Sequence, residues 1–412
     1  MSRRLEVLLH ERPVGILSET PDGGVEFRLL ASYRELVPRP VLGQKFEDDL
    51  EKVHRSRKGQ GLPDFFANLI PEGRLRDLIV EAARLEAGDD LALLTFVGRD
   101  LAGAVSIRNV ADHEASWPLP EPLASAVEAE AAAVSEGLRF SLAGVQLKFS
   151  MLREGDRLTM PAKDRDGEWI VKLDSPTFPQ LPENEFSMLE WARAAGFNVP
   201  ECHLHTIEDV EGFPQRYAPS HTRALAIRRY DRLPHGRRVH QEDFAQAVGL
   251  PPKRKYDQIT HEVMANLARR FIDEEAVAEL VRRLVFTVAS GNNDAHLKNW
   301  SLIYPDTIRA QWSPLYDQVA TVAWEVPDRQ LALKLAGVKE FSRIDRSTFE
   351  RFAQRAQIDQ RRVLELVHKT LEHLRTTWRA IAPDLPLHKT HVAALREHWR
   401  KTPLLRESGP LD

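Results

Sequence analysis

The chain has 412 residues, 42% of them hydrophobic, which is enough for two or three cores in a globular protein. Its 57 basic and 61 acidic side chains nearly cancel to a net charge of −4, so nothing in the overall balance favours nucleic acid or membrane. A single cysteine, Cys202, excludes a disulfide framework and a cysteine-based zinc site, and its expected place is a core.

The opening MSRRLEVLLHERP has too short an apolar run for a signal peptide, and no stretch approaches the ~20 apolar residues of a membrane span. The expected location is therefore the cytoplasm, with no membrane partner. Alternating runs at Leu5–Leu9 and Val25–Leu29, around a Pro-Asp-Gly-Gly turn, predict a small antiparallel sheet. In LPDFFANLIPEGRLRDLIVEAARLE, apolar spacings of three to four past Pro71 predict a helix, and LAGAVSIRNV closes the segment as a strand. The Ala-, Glu- and Pro-rich stretch after residue 110 reads as a linker with a short helix.

Strands dominate next: RFSLAGVQLKFSML, RLTMPA, EWIVKLD and RALAIRRYDRL, interrupted by one helix, ENEFSMLEWARAAGF. Beyond residue 240 the pattern turns helical, at 242–248, 260–270, 274–290, 347–380 and 389–400. The expected organisation is 1–112, a linker at 113–135, a strand-rich lobe at 136–235 and a helical lobe at 236–412. Strands with one helix followed by helices form an α+β, bilobal pattern.

Residues 290–320, SGNNDAHLKNWSLIYPDTIRAQWSPLYDQVA, hold two carboxylates and an amide beside much apolar sequence. Buried carboxylates are costly unless paired or bound to a cation. Asp294 is followed five residues later by Asn299, the spacing by which a kinase catalytic loop places its base and a magnesium ligand, and Asp317 stands where a later Asp completes the metal site. Magnesium takes oxygen ligands, which Asn299 and Asp317 supply. A solvated Asn-Asp turn has the same spacing. Asp294, His296 and Asp317 as a zinc set is the other alternative, but such sites generally recruit more histidines at close spacing, and His221 and His240 lie far away.

Lys172 ends an apolar strand-like run, where a kinase lysine would hold ATP phosphates, and Glu185 on the following helix is the candidate partner. A strand-end lysine reaching solvent is the plain alternative. SLAGVQLKFS lies one strand earlier, where a phosphate-covering loop belongs, yet Gly144 is its only glycine and a simple hairpin reads equally from it. The basic LREHWRK near the C-terminus reads as a solvated helix face.

Together the chain resembles the HipA family of bacterial Ser/Thr kinases, the toxin half of HipA–HipB type toxin–antitoxin pairs. The resemblance is carried, in order, by LPDFFANLIPEG, DDLALLTFVGRDLAGAV, SLAGVQLKFSM, PENEFSMLEWARAAGFNVPE, LAIRRYDR, VHQEDFAQAVGLPPKRKYD and GNNDAHLKNWSLIY with SPLYD. It implies a bilobal protein-kinase-like fold with a small N-terminal α/β subdomain, a kinase N-lobe and a mostly helical C-lobe. It further implies Asp294 as catalytic base, Asn299 and Asp317 as Mg²⁺ ligands, and Ala143, Gly144, Val145, Gln146, Leu147 and Lys148 over the ATP phosphates with Lys172 beneath. Arg228, Arg229 and Tyr230 would form the adenine-holding hinge, and His296, Leu297, Lys298, Asn299, Tyr316 and Asp317 would line the nucleotide site. Ser141 matches the serine that family members phosphorylate on themselves.

Arg228 departs from the family, which often has an acidic residue there, and so do Val145 and Leu147, where alanine and glutamate are common. The resemblance implies a protein substrate of the aminoacyl-tRNA synthetase class, glutamyl-tRNA synthetase among them. It also implies a HipB-like helix-turn-helix antitoxin as partner, with operator DNA reached only through that complex. The alternative is a catalytically weak or inactive binding module that acts as corepressor with the antitoxin.

Overall fold

A computed structural model of the chain describes residues 3–110, 148–154, 157–159, 167–210, 222–256, 259–325, 329–407, 409 and 411. The expected linker and Ser141 to Leu147 lie outside these residues.

In β1 (Arg4–Leu9) and β2 (Arg12–Glu19) alternate side chains turn inward, so Leu5, Val7 and Leu17 are buried. The connection is His10 and Glu11, both left-handed at φ 48° and 62°, as a two-residue hairpin of the primed type requires. With β3 (Val25–Leu29), β4 (His54–Ser56) and β5 (Val105–Asn109) these strands form an antiparallel sheet ordered β4-β3-β2-β1-β5. Phe27, Phe46, Phe65 and Phe66 interlock beside it with ring centroids 4.7–5.3 Å apart. Helix α1 (Gly73–Ala82) follows Pro71, and α2 (Asp90–Val97) starts where Asp89 accepts the Ala92 amide at 3.0 Å.

The second antiparallel sheet has the order β7-β6-β8-β10-β9. Its strands are β6 (Lys148–Glu154), β7 (Arg157–Thr159), β8 (Trp169–Lys172), β9 (Cys202–Thr206) and β10 (Arg223–Arg228). Helix α3 (Leu181–Ala194) interrupts them and packs deep in the larger core. Its Trp191 meets Phe286, Trp378 and Trp399 at 5.3, 4.8 and 6.1 Å and donates to the Leu374 carbonyl at 3.1 Å.

The rest of the chain supplies β11 (His240–Asp243), α4 (Phe244–Val248), α5 (His261–Phe271), α6 (Glu275–Ser290), β12 (Ser301–Tyr304) and β13 (Gln311–Trp312). Then come β14 (Gln330–Leu335), β15 (Val338–Glu340), α7 (Arg346–Ala356), α8 (Gln360–Ile381) and α9 (Lys389–Lys401). From Leu280 to Ser290 of α6 nearly every residue is buried, as befits a helix enclosed on all sides.

Three expectations are corrected. The helix expected over 347–380 is two, because Gln357 turns left-handed at φ 56° and Asp359 caps a new helix by accepting the Arg362 amide at 2.6 Å. The helix expected from 242 begins at Phe244, since 240–243 pair with β12 and Asp243 is the cap. The helical lobe also contains the β14–β15 hairpin, whose tight turn uses left-handed Ala336 and Gly337. Among the described residues no helix is long and apolar enough to cross a membrane.

Residues 5–107 enclose their own core, and that unit is riveted to the remainder by buried polar groups. Asp231 accepts from Arg229 at 3.0 Å, from Arg232 at 2.7 Å and from the Gly103 amide at 2.8 Å, while both arginines reach Asp100 at 2.6 and 2.7 Å. Gly103 is left-handed at φ 75°, and a Cβ there would lie 2.7 Å from the Gln241 amide nitrogen.

Candidate active site

Lys172 is the last residue of β8 and is 4% exposed, so its ammonium needs partners. It donates to Glu185 of α3 at 2.6 Å and to the Asp317 carboxylate. Burial opposes its charge, but Asp317 and then Glu185 more than offset this and hold the amine above the ordinary lysine range. Glu185 is 0% exposed and cannot drift, because the Trp191 contacts anchor its helix. The same helix fixes the chain after Asp317, with Asn184 accepting the Ala320 amide at 2.8 Å.

The loop between α6 and β12 is built by local hydrogen bonds. Gly291 ends α6 in a left-handed C-cap, and a Cβ there would come within 2.5 Å of Val322. Asn292 then accepts the Asp294 amide at 3.0 Å and donates to the Asp317 carbonyl at 3.4 Å. The Asn299 amide nitrogen donates to the Asp294 carbonyl at 2.8 Å, which turns its Oδ1 the other way. Tyr316 donates to the Lys298 carbonyl at 2.8 Å and shares a 2.6 Å hydrogen bond with Ser301. Asp317 itself is left-handed at φ 51°, a conformation Asp tolerates better than most residues.

These groups face one cleft of about 470 Å³, whose wall includes Lys172, Glu185, Asp294, His296, Asn299 and Asp317. Burial, then the Lys255 charge, push His296 down to about 3, so its ring is neutral, and among the described residues its Nδ1 has no hydrogen-bond partner. Leu297 belongs to the core beneath the loop. Arg228, Arg229 and Tyr230 border the cleft, but the Arg228 and Arg229 amides donate to the Glu201 and Glu168 carbonyls, each at 2.8 Å, so neither points at a ligand. The Arg229 side chain belongs to the rivet of Asp100 and Asp231, and Arg228 pairs with Glu201 at 3.4 Å. Lys148 begins β6, whereas Ser141 and Ala143 to Leu147 lie outside the described residues.

Several residues without a sequence signal of their own complete the site. Tyr256 donates to Asp294 Oδ1 at 2.7 Å. Glu72, from the N-terminal unit, enters the cleft and pairs with Lys255 at 3.1 Å and with Lys298. Asp243 also lines the cleft, and burial pushes its carboxyl up to about 6. Tyr256 and Asp243 both stand in VHQEDFAQAVGLPPKRKYD, one of the stretches that carry the family resemblance. Among the described residues no group of three His, Cys, Asp or Glu side chains is arranged as a metal site. Magnesium with one carboxylate and one amide oxygen from the protein demands no such cluster, and Asp317 with Asn299 Oδ1 fits that donor set.

Residues 5–108 match the family model of the HipA N-terminal domain, and residues 140–378 match that of the HipA-like C-terminal domain. A Sinorhizobium fredii protein named "Putative kinase Y4dM" is 36% identical over 408 residues, 98% of each chain. The "Serine/threonine-protein kinase toxin HipA" of Shewanella oneidensis is 26% identical over 304 residues, 66% of each. Among solved structures, the Shewanella oneidensis complex of HipA, HipB and operator DNA contains a chain that superposes with a TM-score of 0.76 at 21% identity, covering 99% of this chain and 98% of that one, which shows a shared fold. Matched by both family models and over nearly its whole length by a 36% identical relative, this chain belongs to the HipA family.

Proposed function

We propose that the chain is an ATP- and Mg²⁺-dependent protein serine/threonine kinase that acts as the toxin of a toxin–antitoxin pair. The observation that carries this reading is the convergence on one cleft of a buried Lys172, held by Glu185 and Asp317, with Asp294 and an Asn299 whose amide oxygen is turned away from the Asp294 carbonyl. Bound Mg²⁺–ATP would supply the phosphoryl group for transfer. Lys172 would hold the α- and β-phosphates as a point charge. Asn299 Oδ1 and the Asp317 carboxylate would hold the metal, and Asp294 would take the proton of the acceptor hydroxyl.

The family and its kinase-named relatives support this reading. We further propose a HipB-like helix-turn-helix antitoxin as partner, with operator DNA reached through that complex, as in the Shewanella oneidensis assembly of HipA, HipB and operator DNA, and an aminoacyl-tRNA synthetase as the class of protein substrate. Ser141 is the proposed site of self-phosphorylation: a phosphate there adds about −1.5 to −2 charges beside bound triphosphate and would repel it. Mass spectrometry after incubation with Mg²⁺–ATP tests the proposal. It should find phosphoserine at Ser141 in the wild type and none in Asp294→Asn. Wild-type protein that stays unmodified and leaves every added protein unmodified would overturn it.

A further inference from the structure

Asp294 is held at its main chain from two sides, by Asn292 on its amide at 3.0 Å and by Asn299 on its carbonyl at 2.8 Å. Those bonds place the Cα, and the orientation of the carboxylate is set by what bonds to its oxygens. The 2.7 Å hydrogen bond from Tyr256 to Oδ1 is such a bond. We infer that Tyr256 is a positioning residue of this site: by tying Oδ1 of Asp294, it constrains the carboxylate plane and so the direction in which the carboxylate meets an acceptor hydroxyl. The inference rests on the kinase reading above.

The tyrosine is itself held firmly enough to do this. Its ring packs against the main core, and the edge of His296 meets it at 5.0 Å and 80°. The Lys255 ammonium lies 5.7 Å from the ring centroid and is tethered by Glu72 at 3.1 Å. The Leu297 amide donates to the Lys255 carbonyl at 3.2 Å, so the segment before Tyr256 and the loop after Asp294 move as one. The Glu72 contact ties the same segment to the N-terminal unit, which thereby reaches the reacting carboxylate through Lys255 and Tyr256. No residue of that unit need touch substrate for this.

Tyr256→Phe removes only the hydroxyl and keeps the ring contacts. A hydrogen bond to a charged group is worth about 10–100-fold in rate when it is needed to orient the reacting atom. The variant should therefore lose about 10–100-fold in kcat while the KM for ATP and the calorimetric affinity for Mg²⁺–ATP stay at wild-type values. In an Asp294→Asn background the same substitution should cause almost no further loss, since the oriented group has already been disabled. Equal kcat for Tyr256→Phe and wild type would overturn the positioning role alone. So would a loss in ATP affinity matching the loss in kcat, because that marks Tyr256 as a packing residue. A wild-type chain that transfers no phosphate at all would instead overturn the kinase reading, and this inference with it.

Discussion

Replacing Lys172 by methionine tests how the site is balanced. Methionine matches the aliphatic stem and removes the charge, so the place of β8 between β6 and β10 is kept. Lys172 has two carboxylate partners, and their environments differ. Asp317 retains 26% side-chain exposure and can be hydrated once the cation is gone, whereas Glu185 is 0% exposed and cannot. One buried carboxylate, not two, therefore loses its cation without gaining water. Breaking a buried pair from one side destabilises by about 3–5 kcal/mol, a large share of the roughly 5–15 kcal/mol that holds a domain folded. Urea unfolding of Lys172→Met should show that loss, and Lys172→Met with Glu185→Gln should recover most of it by removing the buried negative charge. Both variants should bind Mg²⁺–ATP weakly. A Lys172→Met protein as stable as wild type, or a double variant no better than the single, would show that Glu185 does not depend on this lysine.

Asp317→Ala should abolish the gain in ATP affinity that Mg²⁺ confers and leave the affinity in chelator nearly unchanged, because Lys172 keeps Glu185 as a partner; calorimetry showing the same Mg²⁺ gain as wild type would remove Asp317 from the metal site. Glu242 is 0% exposed, accepts the Gln44 amide at 2.8 Å, and is pushed by burial up to about 8. Its folded value lies above an unfolded value of about 4.3, so its contribution is fully present below about pH 4 and is lost as the pH rises toward and through 8. The thermal midpoint of Glu242→Gln, minus that of wild type, should accordingly grow from pH 5 to pH 9; a constant difference would contradict the burial argument.

Much of this architecture is legible in the chain because it rests on periodicity and local chemistry. The apolar run of α6 announces a buried helix, and the strand-end Lys172 ahead of a helix bearing Glu185 announces a pair that the fold closes to 2.6 Å. The D-x4-N spacing draws attention to Asp294 and Asn299. What escapes the sequence is whatever depends on long-range assembly. Tyr256 lies 38 residues before Asp294 in a loop without periodicity, and only the docking of Lys255 under Leu297 brings its hydroxyl to the carboxylate. Nor does the sequence show that the Arg229 side chain is held by Asp100 of another unit. The β1–β2 hairpin hides because His10 and Glu11 occupy left-handed positions that usually signal themselves through Asn or Gly. The break at Gln357 hides for the same reason.

The central claim is that Asp294 performs chemistry in a cleft that binds nucleotide without it. The most direct measurement compares Asp294→Asn with wild type in two assays on the same preparations: Mg²⁺–ATP affinity by calorimetry, and transfer of radiolabelled γ-phosphate to protein. The account predicts affinity within about twofold of wild type and transfer reduced by roughly 10²–10⁴, the usual contribution of a general base. Undiminished transfer by Asp294→Asn would contradict it.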